Sequence, residues 1–267
     1  MPEGDTVWYA ASRLHQALAG QTLVRSDFRT PRLATVDLVG RSVREVAARG
    51  KHLLIRVDGD VTVHSHLGMD GTWRTVTGTT PRGGPAHQMR VLLGTRERLA
   101  IGFRLPLLEV LRTGEELSRL GHLGPDLLGP DWDASEAYDR VTAEPQRPLA
   151  EALLDQHNLA GIGNIYANEL CYLAGASPQT PVGDLPEERL RRLLTVAPKL
   201  LEANKDRPLR RTTREQRPIE SLWVYGRDQL PCRRCGTTIR RHQDGSPGRE
   251  RVRYTCPRCQ PSPPGGP

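Results

Sequence analysis

The chain has 267 residues, of which 37% are hydrophobic and only 4% aromatic, enough to bury one or two ordinary hydrophobic cores. No apolar run approaches the roughly 18 residues of a membrane-spanning helix, and the N-terminus lacks the basic and then apolar segments of a signal peptide. We therefore expect a cytoplasmic protein with two domains and a small appendage, rather than a membrane protein.

Positive charge is concentrated near the C-terminus. The whole chain carries 38 − 31 = +7, whereas residues 205–259 contain 15 basic and 6 acidic side chains, an excess of 15 − 6 = +9. The rest of the chain is slightly acidic, at 23 − 25 = −2. Such a basic segment is either an ordinary solvated surface or a contact for a polyanion.

The N-terminus offers an unusual nucleophile. The small Pro2 favours removal of Met1, which would leave a secondary amine beside the carboxylate of Glu3. An α-amino group titrates near ~8, so roughly a tenth of it is free base at neutral pH. A secondary amine that attacks a carbonyl-like carbon forms an iminium, which withdraws electrons and promotes elimination. Taken alone, however, proline is common at this position and often carries no function.

The first half of the chain predicts a β-sandwich packed with one or two helices. Residues 6–20 have the apolar spacing of a helix that ends at Gly20. From residue 21 to residue 110, short alternating or β-branched runs replace this pattern, with Asp58-Gly59 and Gly94-Thr95 as turn signals. The runs cover residues 23–24, 34–39, 52–57, 61–64 and 89–93.

After the Gly129-Pro130 break the spacing becomes helical. It predicts helices over residues 149–156, 164–173 and 186–204, with Gly161-Ile162-Gly163 as a tight turn between the first two. Glycines that open a helix let a phosphate approach the amide groups at the helix N-terminus. A simple packing turn explains the same pattern about as well.

The cysteines predict a metal site. Cys232-x2-Cys235 and Cys256-x2-Cys259 are separated by 20 residues, a spacing typical of four thiolates around one structural zinc ion. The alternating segments 237–241 and 251–255 flank a Gly-rich turn and predict a β-hairpin between the pairs. Disulfides are the alternative, but an intracellular chain makes them less expected. Cys171 lies on an apolar helix and is predicted to be a core residue rather than a nucleophile.

Seven motifs occur in a fixed order along the chain. They are Pro2-Glu3-Gly4, Arg49-Gly50-Lys51-His52-Leu53-Leu54, His66-Leu67-Gly68-Met69-Asp70-Gly71, Leu123-Gly124-Pro125-Asp126, Gly161-Ile162-Gly163-Asn164-Ile165-Tyr166-Ala167-Asn168-Glu169, Val224-Tyr225-Gly226-Arg227 and Cys256-Pro257-Arg258-Cys259-Gln260. In this order they resemble the formamidopyrimidine-DNA glycosylase and endonuclease VIII family.

The resemblance implies an α+β multidomain fold. Residues 1–128 would form an N-terminal β-sandwich with flanking helices, and residues 129–222 a helix-two-turn-helix domain. Residues 223–260 would form the zinc-bound β-hairpin, followed by a disordered tail over residues 261–267. The implied partner is double-stranded DNA with damaged bases or AP sites, bound by a monomer.

The family's activity is that of a bifunctional DNA glycosylase and AP lyase of base-excision repair, and it assigns roles to matching residues. Pro2 would attack C1′ of the damaged nucleotide and displace the base, Glu3 would act as acid and base, and β,δ-elimination would cleave the strand. Lys51 would bind a phosphate beside the lesion. Asn164 would contact a backbone phosphate from the glycine turn. Arg251 would contact a backbone phosphate from the hairpin, and the resemblance implies that Lys51 and Arg251 are catalytic residues together with Pro2 and Glu3.

Four further residues complete the predicted DNA interface. Met69 resembles the family's wedge, which fills the vacancy left by a flipped nucleotide. His87, His122 and Glu169 are additional candidate DNA contacts. For several residues a plainer role stays open: Met69 as a core residue, Lys51 as a strand-edge lysine, Glu3 or Asn164 as a helix cap, and Glu169 as a solvated helix residue.

Three departures from the family pattern bear on specificity. Asp5-Thr6 stands where the family usually has Pro-Glu, and residues 102–106 replace the Asp-Pro-Arg-Arg-Phe-type loop of the formamidopyrimidine branch. The span between residues 206 and 223 is too short for that branch's lesion-capping loop. The last two departures favour the endonuclease VIII branch and oxidised pyrimidines, whereas Asp5-Thr6 departs from the pattern of both branches.

Two other functions are alternatives to the glycosylase and lyase. A lesion- or AP-site-binding protein that has the fold but has lost the activity is made conceivable by Asp5-Thr6. A tautomerase-like enzyme with an N-terminal proline would leave the zinc hairpin and the basic C-terminus unexplained.

Overall fold

The computed structural model describes residues 2–213, 221–244 and 250–262. The chain divides into two compact units between His122 and Leu123. This division lies a little before the boundary at residue 128 that the sequence predicted. The second predicted boundary, between residues 222 and 223, falls inside the second unit.

The first unit is a β-sandwich with a long helix at its N-terminus. Its helices and strands are α1 (Gly4–Leu18), β1 (Arg25–Phe28), β2 (Val43–Arg49), β3 (His52–Val57), β4 (Val61–His66), β5 (Thr72–Thr77), β6 (Met89–Gly94), β7 (Arg98–Phe103), β8 (Leu107–Arg112) and α2 (Glu116–Leu120). The strands form two antiparallel four-stranded sheets with the orders β1-β6-β7-β5 and β2-β3-β4-β8. The predicted β-sandwich is thereby confirmed.

Side-chain alternation along β3 explains how the sandwich packs. Leu53, Ile55 and Val57 are buried in a core that both sheets and α1 share. Because successive side chains of a strand point to opposite faces, His52 and Arg56 lie on the other face of this sheet. The outer face of this sheet therefore carries polar side chains.

One predicted strand is wrong. Residues 34–39 follow a short 3-10 turn, Pro31–Leu33, and are not part of either sheet. The side chain of Asp37 accepts a hydrogen bond from the backbone N–H of Val39 (2.9 Å), a local contact that competes with strand pairing. Leu38 is nevertheless buried in the core, which accounts for the apolar pattern in the sequence.

The second unit is helical and ends in a two-stranded hairpin. It contains α3 (Ala134–Thr142), α4 (Leu149–Leu154), α5 (Asn164–Ala174), α6 (Glu187–Glu202), β9 (Arg240–Asp244) and β10 (Arg251–Thr255). The four helices enclose one apolar core, which confirms the three helices predicted there and adds α3. The antiparallel hairpin is also confirmed, although its first strand begins at Arg240. Most of its predicted turn, residues 245–248, lies outside the described residues.

Within residues 2–213, 221–244 and 250–262, no helix combines the length and the apolar character needed to cross a membrane.

Candidate functional site

Pro2 lies at the wall of a cavity in the first unit. The residue is half-buried, and the cavity has a volume of about 250 Å³. Its wall is formed by α1, β5 and the turn between β4 and β5, through Pro2, Thr6, Tyr9, Ala10, Arg13, Leu14, Leu67, Gly71, Thr72, Trp73 and Thr75. Pro2 therefore has open space beside it.

Glu3 is fully buried and occupies the N-cap position of α1. Its backbone carbonyl accepts the N–H of Val7 (3.0 Å), whereas its side chain makes no capping hydrogen bond. Glu3 is thus the N-cap residue through its backbone, so the alternative of a helix cap stays open beside the catalytic role. The positive end of the helix dipole still favours the ionised form of an acid at this position.

The two residues that depart from the family pattern lie in the first turn of α1. Asp5 is buried, and its Oδ1 accepts the backbone N–H of Thr6 (2.8 Å). Thr6 lines the same cavity as Pro2. The wall of this cavity consequently carries a hydroxyl where the family usually supplies a carboxylate.

Lys51 lies in the tight turn between β2 and β3, where Arg49 pairs with His52. The lysine is half-buried, and its positive charge helps to lower the pKa values of His52 and His66. Burial is the largest cause in both cases, and it lowers the pKa of His52 to about 3. Both imidazoles are therefore neutral at physiological pH.

Met69 projects from the turn between β4 and β5. Its side chain is 68% exposed, so the alternative of a core methionine is wrong. The turn is closed by a hydrogen bond from the N–H of Gly71 to the carbonyl of Leu67 (2.7 Å). Gly68 adopts φ +59, and a Cβ there would lie 2.6 Å from the ring of Pro106, which explains why the turn needs glycine at this position.

The two remaining candidates of the first unit are exposed. His87 lies in the 3-10 segment Ala86–Gln88, and His122 is the last residue of the unit. Their roles as DNA contacts stay predictions.

Asn164 is the first residue of α5 and follows the predicted glycine turn, in which Gly161 has φ +108. Its side chain is buried: Nδ2 donates to the carbonyl of Val252 (2.9 Å), and Oδ1 accepts from Arg253 (2.7 Å). The helix N-cap is Gly163, so the alternative of Asn164 as the cap is wrong. In this structure the asparagine joins α5 to the hairpin, and its contact with phosphate stays a prediction.

The structure corrects the expectation for Glu169. This side chain is fully buried, and its carboxylate accepts the backbone N–H groups of Trp223 (2.8 Å), Val224 (2.9 Å) and Tyr225 (2.9 Å). The hydroxyl of Thr212 is a fourth donor. Glu169 is therefore not a solvated helix residue, because its oxygens hold the segment that leads into the hairpin, and its role at the DNA interface stays a prediction.

The four predicted ligand cysteines are brought together. The sulfur atoms of Cys232, Cys235, Cys256 and Cys259 all lie within 4.8 Å of one another. Two of the distances are 3.9 Å, between Cys232 and Cys259, and 3.4 Å, between Cys235 and Cys256. A tetrahedral zinc ion with bonds near 2.3 Å separates its sulfur ligands by about 3.8 Å, so the cluster fits such an ion.

Two other residues singled out in the sequence, Cys171 and Arg251, lie in the second unit. Cys171 is fully buried in the helical core, where burial raises the pKa of its thiol to about 12, so the predicted core role is confirmed. Arg251 is exposed at the start of β10. The candidate residues thus fall into two groups, one in each unit.

Two domains of one known protein family match the chain. Residues 1–104 match the formamidopyrimidine-DNA glycosylase N-terminal domain, and residues 123–207 match the formamidopyrimidine-DNA glycosylase H2TH domain. The chain belongs to the formamidopyrimidine-DNA glycosylase and endonuclease VIII family.

Relatives place it closer to the endonuclease VIII branch. The probable endonuclease 8 2 of Streptomyces coelicolor is 61% identical, over 100% of this chain and 97% of that protein. The DNA-(apurinic or apyrimidinic site) lyase Nei2 of Mycolicibacterium smegmatis is 49% identical, over 97% and 99% of the two chains. A formamidopyrimidine-DNA glycosylase of Rhizorhabdus wittichii is 34% identical, over 97% of this chain and 100% of that protein.

A solved structure shows the same fold. The Lactococcus lactis Fpg, in a complex with DNA that contains an abasic site, superimposes with a TM-score of 0.82 at 23% identity. The match covers 97% of this chain and 99% of that one. The chain thus has the fold of this structure.

We expect Glu169→Gln to destabilise the second unit of this family member. The substitution replaces one carboxylate oxygen with an NH₂ group, which donates hydrogen bonds and does not accept them. At least one of the buried backbone N–H groups of residues 223–225 would therefore lose its acceptor. The free energy of unfolding should fall by about 1–3 kcal/mol, measured by urea denaturation. Glu187→Gln is the matched control, because its carboxylate is 63% exposed and pairs only with Arg191 at the surface. Equal stabilities of the two variants would contradict the anchoring role.

Proposed function

We propose that this protein is a bifunctional DNA glycosylase and AP lyase of base-excision repair, which removes oxidised bases through its N-terminal proline. The observation that carries the proposal is the position of Pro2 at the wall of a cavity, next to the buried Glu3. The relatives named endonuclease 8 2 and lyase Nei2 support the same reaction class.

The chemistry follows from a secondary amine. Once Met1 is removed, the Pro2 nitrogen attacks C1′ of the damaged nucleotide, and the bond from C1′ to the base breaks as the base leaves with the electron pair and takes up a proton. Glu3 serves as acid and base when the sugar ring opens to the iminium. The iminium nitrogen carries no proton, so it keeps its positive charge and draws electrons through the β-elimination and δ-elimination that release both phosphates.

Recognition requires the damaged nucleotide to leave the base stack. Met69 then fills the vacancy, and its exposed, flexible thioether suits an irregular gap. Lys51 binds a phosphate beside the lesion from the turn between β2 and β3. Asn164 and Arg251 belong to the second unit and contact backbone phosphates, with His87 and His122 as further contacts in the first unit. DNA in the complexes of structural relatives supports this choice of partner.

The cysteine cluster holds one zinc ion per chain in this proposal. Cys232, Cys235, Cys256 and Cys259 supply all four ligands, so the ion is structural. Its binding energy stabilises the short hairpin that carries Arg251, a segment too small to bury a core of its own.

Oxidised pyrimidines are the proposed substrates. Residues 102–106 do not form the wedge loop of the formamidopyrimidine branch, and the span between residues 206 and 223 is short for a loop that covers oxidised purines. The identities with endonuclease 8 proteins support the same branch. The alternative is a lesion-binding protein without activity, which Asp5-Thr6 in the first turn of α1 makes conceivable.

Borohydride trapping separates the enzyme from the binding protein. Wild-type protein should form a covalent adduct with a duplex that contains an AP site, because borohydride reduces the iminium to a stable amine. Pro2→Gly should nearly abolish the adduct, and Glu3→Gln should slow base release by roughly 10²–10⁴-fold, the usual contribution of a general acid or base. Pro31→Gly, at an exposed proline of the 3-10 turn, is the matched control and should trap normally. Wild-type protein that lacks Met1 and forms no adduct would leave only the binding protein.

A lesion panel tests the substrate class. We expect kcat/KM for a duplex with an oxidised pyrimidine to exceed that for 8-oxoguanine by at least about tenfold, since one pocket contact discriminates by 10–200-fold. An AP-site duplex is the control, because it reports the lyase steps without base recognition. A preference for 8-oxoguanine would place the protein in the other branch.

The salt dependence of binding tests the hairpin. Each phosphate neutralised by a basic residue contributes about 0.9 to the slope of log affinity against log salt, so Arg251→Ala should reduce the slope by about one. Arg189→Ala, an exposed arginine of α6, should leave it unchanged. Removal of zinc by a chelator should weaken binding more than Arg251→Ala, because the whole hairpin loses its support. An unchanged slope for Arg251→Ala would remove this residue from the interface.

A further inference from the structure

A row of hydrogen-bonded side chains crosses the outer face of the sheet β2-β3-β4-β8. Glu109 of β8 contacts Nδ1 of His64 on β4 at 2.8 Å, and Nε2 of His64 contacts Nδ1 of His52 on β3 at 2.9 Å. His64 is 2% exposed, whereas Glu109 lies at the edge of the row and is also 3.7 Å from Arg119. The strand register creates the row, because His64 lies opposite Glu109 and diagonal to His52.

For rings that carry one proton each, the contacts determine which nitrogen carries it. The Glu109 carboxylate only accepts, so Nδ1 of His64 donates to it. With one proton on each ring, Nε2 of His64 must then accept from Nδ1 of His52. A buried row of this kind selects one orientation for each ring, since a reversed ring would leave a buried nitrogen without its partner.

The row continues to the turn that carries Met69. His52 lies opposite His66 in the sheet, and their rings make an edge-to-face contact with centroids 5.1 Å apart. Nδ1 of His66 accepts the backbone N–H of Gly68 at 2.9 Å. With one proton on its ring, His66 therefore carries it on Nε2. The next residue after Gly68 is the exposed Met69.

The charges around the row keep it in this state. Burial, His64, His66, His122 and Lys51 all lower the pKa of His52, and burial and Lys51 lower that of His66. Neutral rings preserve both the acceptor that holds the Gly68 N–H and the donor order of the row. An apolar row would fill this face equally well, but it would not dictate the orientation of the rings.

We propose that Glu109 and His64 are positioning residues, which act through His52 and His66 to hold the Met69 turn in the conformation that enters the duplex. The residues touch neither the sugar nor Pro2. The proposal rests on the proposed function for the role of Met69, but the state of the imidazoles can be measured without DNA.

Nitrogen NMR of the zinc-loaded protein reads the tautomers. In the wild type, His52 should be protonated at Nδ1 and His66 at Nε2. His64→Phe removes the acceptor of His52, and Glu109→Gln makes the end of the row able to donate as well as accept. In both variants His52 should become a mixture of tautomers, and the Gly68 amide signal should shift. Glu109→Gln changes a partly exposed residue and so covers the case in which His64→Phe does not fold.

A double-mutant cycle reads the consequence for activity. His64→Phe and Met69→Ala should each raise KM for a lesion-containing duplex about tenfold, the equivalent of one lost buried hydrogen bond. Because both act through one turn, the double variant should also show about tenfold rather than a hundredfold. Cleavage of a single-stranded AP-site oligonucleotide, which has no vacancy to fill, should stay unchanged in His64→Phe. Glu109→Gln can replace His64→Phe in the cycle.

The matched control is His157→Phe, which removes a similar contact between an imidazole and a carboxylate, 2.9 Å from Asp155, at the surface of the second unit. It should alter neither KM nor the tautomers of His52 and His66. Wild-type tautomers in both row variants, or an additive cycle, would overturn the proposal. If the wild-type protein formed no borohydride adduct, the proposed function would fail, while the tautomer measurement would still decide whether the row orders the turn.

Discussion

Helix α1 fixes the position of Pro2, the proposed nucleophile. It begins at Gly4, only two residues after Pro2, and its apolar stripe is buried in the core of the sandwich. The proline is therefore held at the cavity wall before any substrate arrives, and in the proposed reaction it would lose little conformational freedom when it attacks. The buried Glu3 follows directly in the chain, which is the position that the proposed acid and base requires.

In the second unit, helix α5 supports the small β-hairpin. Three polar side chains on one stretch of α5 do this from buried positions. Asn164 donates to Val252, Asn168 accepts the N–H of Tyr254 (2.7 Å), and Glu169 holds the chain that leads to the first cysteine pair. The same α5 segment follows the glycine turn, so the turn and the hairpin are attached to one rigid element.

Local patterns predicted much of the fold. Alternation in residues 52–57, the apolar spacing of α1 and α5, and the cysteine spacing all depend on neighbours in sequence, and the structure confirms them. The strand predicted over residues 34–39 is wrong because the buried Leu38 gives this segment a strand-like apolar pattern, although it does not pair with a strand. The roles of the buried side chains were beyond such patterns, because they depend on which distant segments meet.

Glu169 and His64 illustrate this limit. In the sequence, Glu169 is one acid on a helix, and only the approach of residues 223–225 shows that it is saturated by backbone N–H groups. His64 meets Glu109 through the pairing of β4 with β8, which no local period encodes. The available hint was the spacing of His64 and His66, which puts both imidazoles on one face of β4, with His66 opposite His52.

The identity of the attacking atom is the central claim, and peptide mapping of the borohydride-trapped complex by mass spectrometry tests it most directly. The DNA remnant should be found on an N-terminal peptide that lacks Met1 and begins with Pro2. A remnant attached to Lys51 or to any other side chain, or a trapped protein that retains Met1, would contradict it.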